Sequence, residues 1–333
     1  MPTLEEIKGQ EQAKSLLKKD LESGNLNHAY LYAGPPGVGK TKTALAMAKA
    51  IVCSQRIDGG ACGVCRNCRL VEAEKFTGVE LLQPKGVTYK IEQMRELQKI
   101  CYYNKSEGEY RIFILPEAER MTLQAANSML KLLEEPPPGN IFIFTTKNTA
   151  AVLPTILSRC RIIKFASLSV ELIKDKLEGM GKTSQEAEFI AHLSGGSMDY
   201  AIQLAETGEA FSRRQKALEL LQEIWQARAE RIIPAVKILE QEENLEELLN
   251  HMLMLARDYL VWQKTGDEKM LINRDRAESI KRKEKGSEGL PEESLLIATL
   301  TELLLFRMRL QKNANKRLAL DVMVWKIYEA VKA

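Results

Sequence analysis

Two groups of residues in this chain have the types and spacing that carry chemistry. The first is Gly34-Pro35-Pro36-Gly37-Val38-Gly39-Lys40-Thr41, a full match to G-x-x-x-x-G-K-[ST]. Glycines let such a loop turn tightly, so that its N–H groups point inward at phosphate oxygens, and a helix starting at its end turns its positive pole to the same charge. Lys40 then reaches the β- and γ-phosphates, and the Thr41 hydroxyl binds Mg²⁺. The context separates a nucleotide site from a glycine-rich turn: the apolar run Ala29-Tyr30-Leu31-Tyr32-Ala33 precedes the loop, and an Ala/Leu/Met-rich helical pattern follows Thr41. ATP with Mg²⁺ is the expected ligand.

The second group is Cys53, Cys62, Cys65 and Cys68, spaced C-x8-C-x2-C-x2-C. Two residues between thiolates is the interval at which a tight turn brings both sulfurs onto one tetrahedral ion, and Gly59, Gly60 and Gly63 supply the bends. Four soft ligands leave no open position, so the expected occupant is structural Zn²⁺, with an iron–sulfur cluster as the competing reading. Cys101 and Cys160 fall outside the spacing and read as core or near-core residues.

Hydrolysis is a separate question, because it requires an acidic pair at the end of a neighbouring strand, one carboxylate for the metal and one for the attacking water. The strand pattern at residues 111–115 ends in Pro116-Glu117-Ala118-Glu119, with Pro116 where the metal-holding carboxylate is expected. A pyrrolidine ring offers Mg²⁺ nothing, so turnover in this chain's own site is expected to be slow or absent. The alternative, that Glu117 or Glu119 takes over, displaces the carboxylate from the required position.

The elements that must position these groups follow from hydropathy. Short strand patterns at residues 29–33, 111–115 and 141–145 alternate with helical patterns at 4–21, after Thr41, and at 125–135. Strands alternating with helices predict a parallel sheet covered on both faces, that is, a doubly wound α/β core. Beyond about residue 165 the strand signals stop. Short helices punctuated by Gly179, Gly181, Gly195 and Gly196 give way to long amphipathic ones, such as 245–262 and 293–312. The charged interruption at 273–289, with Lys281-Arg282-Lys283, reads as a loop or helix end with a solvated face.

At 333 residues the chain exceeds one ordinary core. Lys plus Arg total 48 against 45 acidic residues, so the net +3 is too small to attract nucleic acid by itself, which argues against a stand-alone zinc DNA-binding protein. The N-terminus lacks the basic-then-apolar build of a secretion signal. No apolar run approaches the roughly 20 residues that span a bilayer. A cytoplasmic location is expected, where thiols stay reduced.

The order of several motifs resembles the bacterial clamp-loader subunits of the AAA+ class over nearly the whole chain. They are Ile7-Lys8-Gly9-Gln10, His28-Ala29-Tyr30-Leu31, the phosphate loop, the cysteine insert, Ala126-Asn127-Ser128-Met129-Leu130-Lys131-Leu132-Leu133-Glu134-Glu135-Pro136-Pro137, Leu157-Ser158-Arg159-Cys160 and Asn315-Lys316-Arg317-Leu318-Ala319-Leu320. The resemblance implies an AAA+ core with a zinc module at 53–68 within residues 1–165, a helical lid at 166–207 and an all-α collar at 208–333. It implies that Arg159 reaches into the nucleotide site of the next subunit, the competing reading being an arginine paired with a surface carboxylate, and that Thr145-Thr146 is either a nucleotide sensor, with Thr146 at the site, or ordinary strand. Motor members of the family carry a lid arginine where this chain has Asp199, and with Pro116 that departure fits the family's stator better than its motors. His28 reads as a packing or hydrogen-bonding residue. The implied partners are the motor subunits and delta in a hetero-oligomer, with a sliding clamp and primed DNA reached through the complex. A hydrolysing AAA+ motor is the competing reading.

Overall fold

The structure, a computed structural model, describes residues 3–57, 60–103, 109–226, 229–281, 291–312 and 314–332. The chain divides into two compact units, Met1–Leu172 with Gly196–Tyr200, and Ile173–Gly195 with Ala201–Ala333.

The first unit is built on five strands: β1 (Ala29–Ala33), β2 (Val79–Leu81), β3 (Arg111–Leu115), β4 (Asn140–Thr146) and β5 (Arg161–Lys164). They pair in parallel in the order β2-β3-β4-β1-β5. Successive side chains alternate between faces. Tyr30, Tyr32, Ile112, Ile114, Ile141 and Ile143 enter one apolar cluster, which α1 (Glu11–Ser23) and α2 (Lys40–Ile51) complete through Leu17, Leu21, Ala44 and Met47. Leu31, Phe113, Leu115, Phe142 and Phe144 enter the other, completed by α4 (Ile91–Tyr103) and α5 (Leu123–Glu134) through Met94, Leu97, Met129 and Leu132. Burial on both faces is why β1 and residues 141–144 of β4 read as unbroken apolar runs. The short α3 (Arg66–Glu72) and α6 (Pro154–Leu157) complete this unit's helices up to β5.

Two local expectations are revised. The helix expected at residues 4–21 begins only at Glu11, because Gly9 and Gln10 take left-handed conformations, at φ 71° and φ 61°. Strands β2 and β5, the two edges of the sheet, have no counterpart among the strand patterns of the sequence: β2 is only three residues long, and Arg161-Ile162-Ile163-Lys164 is half charged, a pattern that an edge strand with one face covered tolerates.

The second unit is helical, with α7 (Val170–Glu178) and α9 (Met198–Thr207) crossing the division between units. It continues through α8 (Ser184–Leu193), α10 (Glu209–Trp225), α11 (Ala229–Gln241), α12 (Leu245–Thr265), α13 (Ala277–Lys281), α14 (Glu293–Gln311) and α15 (Lys316–Lys332). Apolar residues at helical spacing close its core: Leu248, Met252 and Leu255 from α12, Leu296, Leu303 and Phe306 from α14, and Leu320, Met323 and Ile327 from α15. Arg214 is 4% exposed, lies 4.2 Å from the Phe189 ring centroid and forks onto Asp275 at 2.9 and 2.6 Å. Arg282 and Lys283 of the basic segment, and Gly59 of the cysteine insert, lie outside the described residues. No helix among the described residues is long and apolar enough to cross a membrane.

Candidate nucleotide site and thiolate cluster

Strand β1 is buried throughout and delivers the chain to the phosphate loop at the carboxyl edge of the sheet. Gly34 must be glycine, since its N–H donates to Thr146 O at 3.1 Å and a Cβ would stand 2.2 Å from Phe165 O. Gly37, at φ 69°, packs as closely against the start of α9: a Cβ there would meet Ser197 Oγ at 2.0 Å. The Gly37 carbonyl accepts from Met198 N at 2.9 Å. Lys40, 9% exposed, opens α2 and donates to the carbonyls of Gly34 at 2.7 Å and Pro35 at 2.5 Å. Burial pushes its ammonium below the ordinary range, opposed by the carboxylates of Glu119, Asp199 and Glu117. Thr41 is half-buried in the first turn of α2. Backbone amides at a helix start, an ammonium and a hydroxyl are together the groups that could cradle an anion.

Asp199 stands beside that cradle and is tied to Lys42 at 2.8 Å, with both side chains exposed. Across it, Pro116 is buried at the end of β3 and its carbonyl accepts from the Tyr89 hydroxyl at 2.7 Å. Glu117 takes a left-handed φ of 52°, which turns its exposed side chain onto Arg120 at 2.6 Å. Its N–H donates to Thr145 Oγ1 at 3.2 Å. Glu119 accepts weakly from Lys147 N at 3.5 Å through one oxygen, while the other is buried without a hydrogen-bond partner. Thr146, fully buried, spends its hydroxyl on the following turn, donating to Asn148 O at 3.0 Å and accepting from Asn148 N at 3.1 Å. His28 is half-buried; its backbone carbonyl accepts from Phe142 N at 2.8 Å.

Arg159 lies at the opposite edge of the sheet. Strand β5 starts at Arg161 opposite Tyr30, and Ala33 pairs with Lys164. Four residues of rise, from Tyr30 to Gly34, therefore separate the start of β5 from the loop by roughly 13 Å along the strands, and Arg159 is farther still. An arginine side chain does not span that gap. Its Nη1 donates to Thr155 O at 2.9 Å and Ser158 Oγ at 3.1 Å, and its Nη2 to Glu134 Oε1 at 2.6 Å. Pairing with a surface carboxylate is the competing expectation for Arg159, and this contact matches it within the chain; that the partner is Glu134 was not legible, since nothing in a pair 25 residues apart announces contact.

The four cysteines converge. Cys53 follows α2, Cys62 and Cys65 sit in the turns beyond it, and Cys68 is in α3; their sulfurs all lie within 4.8 Å of one another, with Cys53–Cys65 and Cys62–Cys68 at 4.0 Å. Four sulfurs about 2.3 Å from a tetrahedral ion stand roughly 3.8 Å apart, so this donor set fits zinc with small adjustments. Backbone N–H groups of Cys62, Cys65 and Cys68 point at the sulfurs of Cys53, Cys62 and Cys65 at 3.3–3.4 Å, as a thiolate shell requires. At Cys65 burial opposes ionisation, but the donors around it prevail and bring the thiol down to about 5. Cys101 is buried, Cys160 half-buried, and burial pushes both thiols up to about 12, as suits inert packing residues.

With this geometry in view, the comparisons with known proteins are specific. A family described as "DNA polymerase III, delta subunit" matches residues 9–169. The delta' subunit of DNA polymerase III from Bacillus subtilis (strain 168) is 29% identical over 326 residues, 96% of each chain. The tau subunit from Escherichia coli (strain K12) is 29% identical over 281 residues, which cover 76% of this chain and 44% of that protein. Among solved structures, a gamma-subunit-related protein of DNA polymerase III from Thermotoga maritima covers 96% of this chain and 100% of its own at 17% identity, with a TM-score of 0.41, too low to carry an argument.

Proposed function

Because this chain belongs to the clamp-loader family of DNA polymerase III subunits, we propose that it is the delta-prime-type stator of such a complex. It takes part in ATP-dependent loading of a sliding clamp on primed DNA in the cytoplasm. It binds nucleotide through residues 34–41 with Mg²⁺ at Thr41, turns it over slowly or not at all, and lends Arg159 to the ATP site of an adjacent subunit. Zinc at the four cysteines is structural. Residues 166–207 form the lid, and the long helices of residues 208–333 form the collar that joins this chain to motor subunits and delta.

The observation that carries this reading is the placement of Lys40 and Arg159 on opposite edges of one sheet. A cation at the far edge cannot assist the phosphates held by this loop, yet it is well placed for a molecule docked against that edge. Pro116 supports the same division of labour, since the carbonyl it presents is already bonded to Tyr89. The half-buried Glu119, whose charge acts on Lys40 and which keeps one oxygen unbonded, favours the competing motor reading.

Reconstitution separates the two. Arg159→Ala is expected to fold normally and to remove the turnover of the one site it faces, where an arginine finger is worth ~10³ in rate. The isolated wild-type chain is expected to hydrolyse ATP negligibly, with or without primed DNA. Robust turnover by the isolated chain defeats the stator assignment; unchanged ATPase of the R159A complex defeats the trans role.

A further inference from the structure

We infer that Glu134 is the positioning residue for Arg159, holding the guanidinium in the orientation from which it serves a neighbouring subunit's nucleotide. The inference rests on the trans reading of Arg159 given above. Glu134 is the last residue of α5, whose final turn is anchored by Leu132 and Leu133, at 0% and 2% exposed, and stopped by Pro136-Pro137-Pro138. Its carboxylate therefore sits on a rigid platform.

Two features show that this pair contributes little to the fold. The side chains of Arg159 and Glu134 are 33% and 49% exposed, so solvent screens their attraction. A carboxylate in the last turn of a helix also opposes the helix dipole, which favours cations there. What the contact does is geometric. Of the five N–H bonds of Arg159, those to Thr155 O, Ser158 Oγ and Glu134 Oε1 use three, which leaves two for a ligand outside the chain. A long flexible side chain is thereby held in one rotamer before a neighbour arrives, so that binding need not order it. The opposing effect is that the Glu134 charge weakens the field of the guanidinium. An amide separates the two, because Gln keeps the accepting oxygen and removes the charge.

The test uses the complex reconstituted with its sibling subunits and measures steady-state ATPase for wild type, R159A, E134A, E134Q and the double variant E134A/R159A. Expected are a loss of about fivefold in kcat at the affected site for E134A, an unchanged KM for ATP, and at least about half the wild-type rate for E134Q. The double variant should match R159A alone, because Glu134 acts only through Arg159. The melting temperature of the E134A chain should stay within about 2 °C of wild type. Given a defective R159A, the inference is overturned by an E134A rate at or above wild type, by an E134Q loss equal to that of E134A, or by a further loss in the double variant. Wild-type ATPase in R159A itself would instead overturn the trans-arginine reading on which the inference stands.

Discussion

His251 is 1% exposed in α12, lies 5.9 Å from the Phe189 ring centroid, and has neither ring nitrogen hydrogen-bonded among the described residues. Burial, aided by the positive charges of Arg214 and Arg213, pushes its pKa down to about 4. In the unfolded chain the same imidazole titrates near the ordinary ~6.5. Above that value both states are neutral and His251 adds no pH dependence. As pH falls from ~6.5 through 4, the unfolded chain takes a proton that the folded one refuses, so stability drops by up to ~3 kcal/mol. Urea unfolding at about pH 7.5 and about pH 4.5 should show this loss, and His251→Leu should reduce it substantially. An equal loss in H251L would assign the acid sensitivity elsewhere. The tight glycine turns at residues 34–41 and the convergence of the cysteines were legible at this scale, because the residues that make them lie close together in the chain. The surroundings of His251 were not, since Phe189, Arg213 and Arg214 meet it from other helices.

At the scale of elements, α2 joins the two chemistries, running from Lys40 in the phosphate loop to Ile51, two residues before Cys53. The insert is bound to its far end. Asn67 donates to Val52 O at 2.8 Å, and buried Lys49 faces Glu72 of α3 at 3.6 Å. Cys65 caps α3 by accepting from Cys68 N. Residues 53–72 present a sulfur cluster more than an apolar core, and a metal that ties four thiolates contributes folding free energy directly. Chelation is therefore expected to release one Zn²⁺ per chain and to lower the melting temperature by several degrees, with Cys68→Ser doing the same. Metal analysis decides the identity: zinc with no visible absorption supports this account, and iron with sulfide-type absorption replaces it with an iron–sulfur cluster. Spacing alone sufficed to find this module. Its attachment through Lys49 and Asn67 was not legible, because a lysine in a helical pattern reads as solvated until tertiary packing covers it.

Over the whole molecule, large apolar side chains stand exposed on helices of the proposed collar. On α14, Ile297, Leu304 and Met308 are 48%, 51% and 53% exposed, at intervals that place them on one side of the helix. On α15, Leu318 and Trp325 are 65% and 52% exposed, seven residues apart. Large apolar side chains aligned in this way mark surfaces that partners cover. If sibling subunits cover α14, Leu304→Glu and Met308→Glu should each weaken assembly by about tenfold or more, measured by titration calorimetry with the siblings, while thermal melts of the isolated chain stay unchanged. Assembly at wild-type affinity would move the collar contact away from this face. The helices themselves were legible from their period, yet which side of α14 faces solvent was not, since its apolar residues surround it.

Local sequence dictates the tight glycine loop before α2, the spacing of the thiolates, the proline at the end of β3, and the alternation that makes a parallel sheet. Each depends on backbone geometry within a few residues or on a hydropathy period. It took the folded chain to put Arg159 and Lys40 on opposite sheet edges, to set Glu134 against Arg159, and to close Ser197 and Asp199 against Gly37 and Lys42. Those contacts depend on strand register and chain crossings over tens to hundreds of residues, where many pairings are locally equivalent and only simultaneous burial of both sheet faces selects one.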